Sequence, residues 1–194
     1  MDKKQIRKNE ILKKSIDTMY LKGYNGTSVK DITDAAEIPK GSFYNYFKDK
    51  EHYAVDALNF FFYDSRESSF RIFKDESVSP LDRIKTFYKR FISHYEDTDF
   101  KLGCFVGNLT QEMGDTSTII SEATDEIHNE IVNKIHDCLM EAYELNEFNP
   151  KVDISSLANF IASSWQGTLL RMKANKNSQV LNDFYRILEE VLLK

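Results

Sequence analysis

Turn-forming residues are scarce: the 194-residue chain holds three prolines and seven glycines. That scarcity weighs against a many-stranded sheet and against low-complexity linkers. Two cysteines are too few for a secreted disulfide scaffold, which leaves a reducing, cytoplasmic setting as the expectation. No apolar run approaches the roughly 18–20 residues of a membrane span, so no membrane partner is expected. The opening MDKKQIRKNEILKK carries charges without the apolar stretch of a signal peptide. The four histidines, His52, His94, His128 and His136, show no metal-ligand spacing, so neither a metal nor another cofactor is expected. A phosphate-cradling glycine loop and a Gly-x-Ser-x-Gly elbow are both missing. The length still suffices for a sizeable core without staples, and 41% hydrophobic with 29% charged residues argues against disorder.

The net charge of −5 would by itself point away from nucleic acid, but it averages two unlike parts. Residues 1–50 carry 11 Lys and Arg against 7 Asp and Glu, a net of +4, and residues 51–194 carry 15 against 24, a net of −9. A small basic head on a larger acidic body directs attention to the head.

Apolar residues recur at helical spacing along nearly the whole chain, and long alternating strand patterns are absent. The pattern predicts an all-α fold of about nine helices, divided into a head over 1–48 and a helical body over 49–194. A first helix over 3–22 ends at Gly23, and Thr27 or Ser28 caps a second that turns Val29, Ile32 and Ala36 inward. Pro39 opens a short third helix with Phe43, Tyr44 and Phe47, and Asp49 caps a fourth over 50–73. In the body, helices are expected from Ser79-Pro80 to Tyr95, over a short stretch ending at Gln111, and over 117–145, 153–173 and 178–193, with Asn149-Pro150 as a break.

Residues 28–50 have the physics of two short helices joined by a tight turn. Ala35 and Ala36 are small where helices must meet, and Ile32, Ile38, Phe43 and Phe47 supply a shared core. That leaves Lys40, Gly41 and Ser42 at the start of the second helix free of bulky apolar groups, with Asn45 and Tyr46 turned from the core. Such an end suits a phosphate or a groove edge. Taken singly, Tyr44 reads as core and Lys40, Lys48 and Lys50 as solvated charges; it is the constellation that points to DNA.

These residues resemble the TetR family of bacterial transcriptional repressors. The likeness is carried by Lys22-Gly23-Tyr24, Thr27-Ser28-Val29, Asp31-Ile32 and above all the run from Gly41 to Glu51, GSFYNYFKDKE. It implies a three-helix helix-turn-helix head that binds operator DNA as a dimer, and a variable body that binds a small effector. Carried over by position, Thr27, Ser28, Tyr44, Tyr46 and Lys50 would hold phosphates, while Lys40, Gly41, Ser42 and Asn45 would lie at or near base edges. The turn residue that the family usually fills with glycine is Glu37 here, where a left-handed backbone would carry a strain glycine avoids.

The helix over 153–173 is apolar on more than one side, and such a helix must be covered twice. The resemblance implies that it and the last helix pair with their twins, through Leu157, Ile161, Thr168, Met172, Leu181, Phe184 and Leu188; an ordinary monomer core is the other reading. Dimerisation would set the two reading helices about one DNA turn apart, roughly 34–36 Å.

Aromatic residues are abundant, and a pocket for a small apolar effector would draw on some of them, with Phe62, Phe91, Phe105 and Trp165 as candidates. The segment from Gly103 to Leu109, GCFVGNL, resembles a TetR subgroup that includes the repressor responding to N-ethylmaleimide and related electrophiles. That likeness implies Cys104 as a sensor thiol and Lys173 as its helper, since a nearby ammonium raises the thiolate fraction. A lone cysteine also reads as a small buried hydrophobe, and Cys138 reads as structural. Two rival functions stand beside the repressor: a ligand-binding helical protein without DNA binding, and a thiol-dependent enzyme using Cys104.

Overall fold

The structure, a computed structural model, describes residues 2–65 and 70–194 and contains helices and no strand among them. In chain order the elements are α1 (Lys3–Lys22), α2 (Val29–Ala35), the 3-10 segment α3 (Lys40–Asn45), α4 (Lys50–Asn59), α5 (Pro80–Asp97), α6 (Phe105–Met113), α7 (Thr118–Glu144), α8 (Ile154–Asn175) and α9 (Gln179–Ile187). Local chemistry sets most of the ends. Gly23 closes α1 at φ 75° and ψ 173°, a conformation essentially reserved for glycine. Ser28, Asp49, Ser79 and Asp153 cap α2, α4, α5 and α8, each accepting the N–H three residues on.

The helix expected over 50–73 differs from the structure. Regular α-helix stops at Asn59 and a wider π-turn follows over Phe60–Ser65. Residues 66–69 lie outside the described residues, and Arg71–Lys74 form a 3-10 turn. Four consecutive aromatic side chains, Phe60 to Tyr63, crowd this stretch. Within it Phe62 is buried and Tyr63 faces out. The last helix likewise runs into a π-turn over Leu188–Leu192.

The chain forms two compact units, each built from two segments. The first comprises residues up to 66 together with 105–127. Its core joins Ile11, Leu12, Ile16, Met19 and Tyr20 of α1 to Ile32, Ala36, Phe43, Phe47 and Tyr53. The Tyr53 hydroxyl is buried against Ser15 at 2.7 Å, so its polar end is satisfied inside that core. Phe105 belongs here, 5.2 Å from the Tyr20 ring and 5.4 Å from Phe61, and so packs α6 onto α1 and the aromatic turn.

The second unit comprises 67–104 and 128–194. Trp165 lies at its centre, ringed by Tyr88 and Phe184 at 5.0 Å and Tyr95 at 6.3 Å. Arg83 is buried and well held: its Nε donates to the carbonyls of Asp75 and Val78 at 2.8 Å, and a terminal nitrogen meets Glu141 at 2.6 Å. This unit corrects one expectation. Leu157, Ile161, Met172, Leu181 and Leu188, assigned from the sequence to a subunit interface, are buried in the unit's own core. Phe184 is half-buried against Tyr88 and Trp165, and the Thr168 hydroxyl donates to the Ser164 carbonyl at 2.9 Å. The side of α8 that looks outward carries Phe160 (56% exposed), Ser163, Gly167 and Leu170 (54%) instead.

Candidate nucleic-acid interface

The turn entering α2 is locked by a reciprocal cap. The Asp31 N–H donates to the Ser28 hydroxyl oxygen at 3.1 Å, and the Ser28 N–H donates to the Asp31 carboxylate at 2.8 Å. Lys22 adds an ion pair to Asp31 at 2.7 Å, and with Ser28 it holds that carboxyl well below the usual carboxylate range. Between α2 and α3, Glu37 adopts φ 55°, the left-handed conformation expected of the turn, and its carboxylate pairs with Lys14 of α1.

α3 is six residues long and 3-10 rather than α, starting from Pro39 in an extended conformation. Phe43 and Phe47 point inward with ring centroids 5.1 Å apart, and Tyr53 lies 5.0 Å from Phe47. Burying these rings turns the other side of the segment to solvent: Lys40, Gly41, Asn45 and Tyr44 (58% exposed) face out, with Ser42 and Tyr46 half-buried. A Cβ at Gly41 would have nothing within 4 Å, so packing does not require glycine there and the backbone is open to a close approach from outside. Ser28, the cap of α2, is exposed as well.

Two residues assigned to phosphates from the sequence are occupied inside the protein. Thr27 is 1% exposed; its hydroxyl donates to the Gly23 carbonyl at 2.7 Å and its N–H to the Tyr24 carbonyl at 3.2 Å. Lys50 is half-buried, with its ammonium donating to the carbonyls of Tyr24 and Thr27 at 3.0 and 2.9 Å and lying 4.0 Å from the Tyr24 ring centroid. Both residues shape the turn between α1 and α2. Their types also fit a phosphate, the role that the TetR resemblance implies for both positions.

Glu112 of α6 holds the turn after α1, a positioning role that the sequence did not suggest. Its carboxylate accepts the Asn25 N–H at 2.9 Å and fills the space beside Gly23. Ser117 likewise donates to Glu51 of α4 at 2.8 Å. The turn over 23–27 is therefore held by Lys50 through its carbonyls and by Glu112 through an N–H. The one sequence signal for this arrangement was Gly23, whose missing side chain makes room for a carboxylate.

The effector candidates separate between the units. Phe62 and Phe105 lie in the first, and Phe91, Cys104, Trp165 and Lys173 in the second. Within the second unit the Lys173 stem lies beside Gly103, the residue before Cys104. Gln166 donates to the Cys104 sulfur at 3.5 Å, and a Cβ on Gly103 would lie 2.7 Å from Lys173 Cδ, so the lysine stem packs on the residue preceding the thiol. Tyr95 donates to the Gly103 carbonyl at 2.9 Å. Phe91 is half-buried, 4.8 Å from the Phe87 ring. Burial pushes the Cys138 thiol up to about 11, mainly by desolvation. Among the described residues no group of three or more acidic, His or Cys side chains is arranged to hold a metal, and no helix is long and apolar enough to cross a membrane.

A reading segment raised on buried aromatics, beside a capped α2 and ahead of a helical body, defines a helix-turn-helix transcription regulator. Residues 11–52 match the family model for bacterial regulatory proteins of the tetR family, and residues 80–188 match the tetracyclin repressor-like C-terminal domain. The transcriptional repressor DhaR of Mycobacterium sp. strain GP1 is 32% identical over 186 residues, 96% of this chain and 92% of that protein. Among solved structures, a TetR regulatory protein from Rhodobacter sphaeroides superposes with TM-score 0.83 at 27% identity, over 92% of this chain and 95% of that one. The reduced form of Escherichia coli NemR gives TM-score 0.85 at 20% identity over 95% and 96%, a likeness of fold. The chain belongs to the TetR family. It is a DNA-binding transcriptional repressor, and regulators of this family bind operator DNA and act as dimers.

Proposed function

We propose that this cytoplasmic protein is a homodimeric repressor that reads its operator through α3 and leaves it when a small electrophile reacts at Cys104. DNA reading belongs to residues 1–48 in this scheme, and dimerisation and effector response to 49–194. The observation that carries the DNA assignment is the outward row of Lys40, Gly41, Tyr44 and Asn45 above buried Phe43 and Phe47. Lys40, Gly41, Ser42 and Asn45 are the candidates for base edges, and Ser28, Tyr44 and Tyr46 for phosphates. Thr27 and Lys50 act behind them by shaping the turn.

Tyr44→Ala tests the assignment. A hydrogen bond to a charged group is worth about 1.5–3 kcal/mol, so affinity should fall about 10–100-fold. The loss should be similar on the operator and on an unrelated duplex, because a phosphate contact carries no sequence information. The thermal midpoint should not move, since the side chain is largely exposed. Wild-type affinity in this variant would remove Tyr44 from the interface.

For the dimer, the exposed row on α8 replaces the residues expected from sequence. Phe160, Ser163, Gly167 and Leu170 recur at three-four spacing and lie on one stripe. A Cβ at Gly167 would meet nothing within 4 Å, leaving room for a partner helix to approach closely. Ile187 and Val191 (61% exposed) give the C-terminal helix an outward apolar pair. A second copy of the chain is the occupant that covers this surface.

The sensor assignment is supported by the half-exposed Cys104, held by Gln166 beside the stem of Lys173. Addition of N-ethylmaleimide forms one S–C bond as the alkene π bond opens, and the adjacent carbon takes up a proton equivalent to the one the thiol gives to solvent. Cys138 is 2% exposed with a raised thiol, so it is a poor competitor. In a DNA-release titration, N-ethylmaleimide should free the wild-type protein and leave Cys104→Ser bound. Release of the serine variant at the same reagent concentration would overturn the assignment.

A further inference from the structure

The first two turns of α1 hold four cations, Lys3, Lys4, Arg7 and Lys8, and of these only Lys8 is tied into the packing of the head. Lys3, Lys4 and Arg7 are exposed, while Lys8 is committed to Asp56 at 2.6 Å. The first turn contains no acidic residue, and Asp2 makes no side-chain cap. Cations at a helix N-terminus oppose the helix dipole, so their placement does not serve the stability of α1. Neither Lys3 nor Lys4 has an ion-pair partner among the described residues. Arg7 meets Glu10 at 2.6 Å, an exposed pair of the kind that exchanges readily for a better anion.

The position of these cations relative to the reading segment gives them a use. α1 reaches residues that flank α3 on either side. Lys14 pairs with Glu37, in the turn before α3, and Arg7, seven residues earlier on the same side of α1 and paired with Glu10, lies near Tyr46, the residue that closes α3. One side of α1 therefore runs alongside the reading segment. Lys3 and Lys4 lie four and three residues before Arg7, which puts them on the same side about one turn beyond Tyr46. A helix advances 1.5 Å per residue, so these cations extend the basic surface by about 5–6 Å past the end of α3.

We infer that Lys3, Lys4 and Arg7 form a second, sequence-independent contact with the DNA backbone, flanking the base-reading segment. The occupant is the phosphodiester chain of the same duplex that α3 reads, so the inference rests on the helix-turn-helix being the DNA-binding element. Arg7 suits a phosphate better than a lysine there, because its planar fork can bind two oxygens at once. The contact sets affinity and register without altering which sequence is preferred.

The test uses the full chain and a duplex that the wild-type protein selects from a random-sequence pool, with an unrelated duplex of equal length. Binding is measured across ionic strength for wild type, for Lys3→Ala/Lys4→Ala/Arg7→Ala, and for the charge-matched control Lys89→Ala/Arg90→Ala/Lys151→Ala. The slope of log affinity against log salt should become shallower by about 0.9 for each phosphate left without its cation, therefore by about 2–3 per protomer in the first triple. It should be unchanged in the control. The ratio of affinities for the selected and unrelated duplexes should stay at the wild-type value. Lys3→Gln alone should flatten the slope by about 0.9 per protomer, and Arg7→Lys should keep most of the slope that Arg7→Ala removes. A wild-type slope in the N-terminal triple, with Tyr44→Ala still weakening binding, would overturn the inference while leaving the DNA-reading role of α3 intact. A changed preference between duplexes at constant slope would overturn it as well.

Discussion

Leu170→Asp is expected to turn the dimer into a monomer and to weaken operator binding by about 10²–10⁴-fold, the gain that joining two binding modules typically confers. Leu170 is more than half exposed and lies on the outward stripe of α8 with Phe160 and Gly167. A carboxylate there costs the isolated chain little, because water already reaches the position. In the dimer the same carboxylate would be buried without a partner, at a cost of several kcal/mol per ion. The variant should remain folded as a monomer, its midpoint lowered only by the lost association energy and no longer dependent on protein concentration, and sedimentation should report half the wild-type mass. The contrast is Ile161→Ala, on the same helix but fully buried. Truncating a core isoleucine costs about 2–5 kcal/mol, a loss read in the melting curve. If Leu170→Asp remains dimeric with wild-type affinity, the outward stripe is not the subunit interface.

Gly23→Ala is expected to be the most damaging single-methyl change in the head. The backbone at φ 75° and ψ 173° costs a side-chain-bearing residue about 1–3 kcal/mol. The added Cβ would also collide with Glu112 Oε1. The glutamate can swing away, but it then gives up the Asn25 N–H, a hydrogen bond to a charged group. The combined loss is about 3 kcal/mol, and a chain of this size should melt roughly 6–12 °C lower. Gly41→Ala is the matched comparison: its backbone is not left-handed and its Cβ would meet nothing, so the melting curve should be unchanged. A Gly23→Ala midpoint within a degree or two of wild type would show that the α1–α2 turn accommodates both strain and clash.

Helix ends were the most legible part of this sequence, because they are set by local chemistry. Gly23, Ser28, Pro39, Asp49 and Ser79-Pro80 act through their own backbone and the next three residues, and each does in the structure what its type foretells. Widened turns were not legible. Phe60 to Tyr63 have ordinary helical spacing, and nothing in a pattern of apolar residues distinguishes an α-turn from a π-turn. Inside and outside on α8 were not legible either. Two apolar stripes run along that helix, and periodicity says that both need cover without saying which is covered by the same chain. Leu157, Ile161 and Met172 took the inner side and Phe160 and Leu170 the outer. Thr27 and Lys50 show the same limit for polar residues. A hydroxyl and an ammonium satisfy a backbone carbonyl as well as they satisfy a phosphate, and only the fold decides between them.

The first unit is built from residues up to 66 and from 105–127, and this has a consequence for synthesis. When residue 66 leaves the ribosome, Tyr20 and Phe61 still lack the Phe105 ring that lies on them, and Asn25 lacks Glu112. Those partners arrive about forty residues later, a matter of seconds at roughly 5–20 residues per second. The stretch ending in Cys104 is thus translated before the DNA-reading half can close.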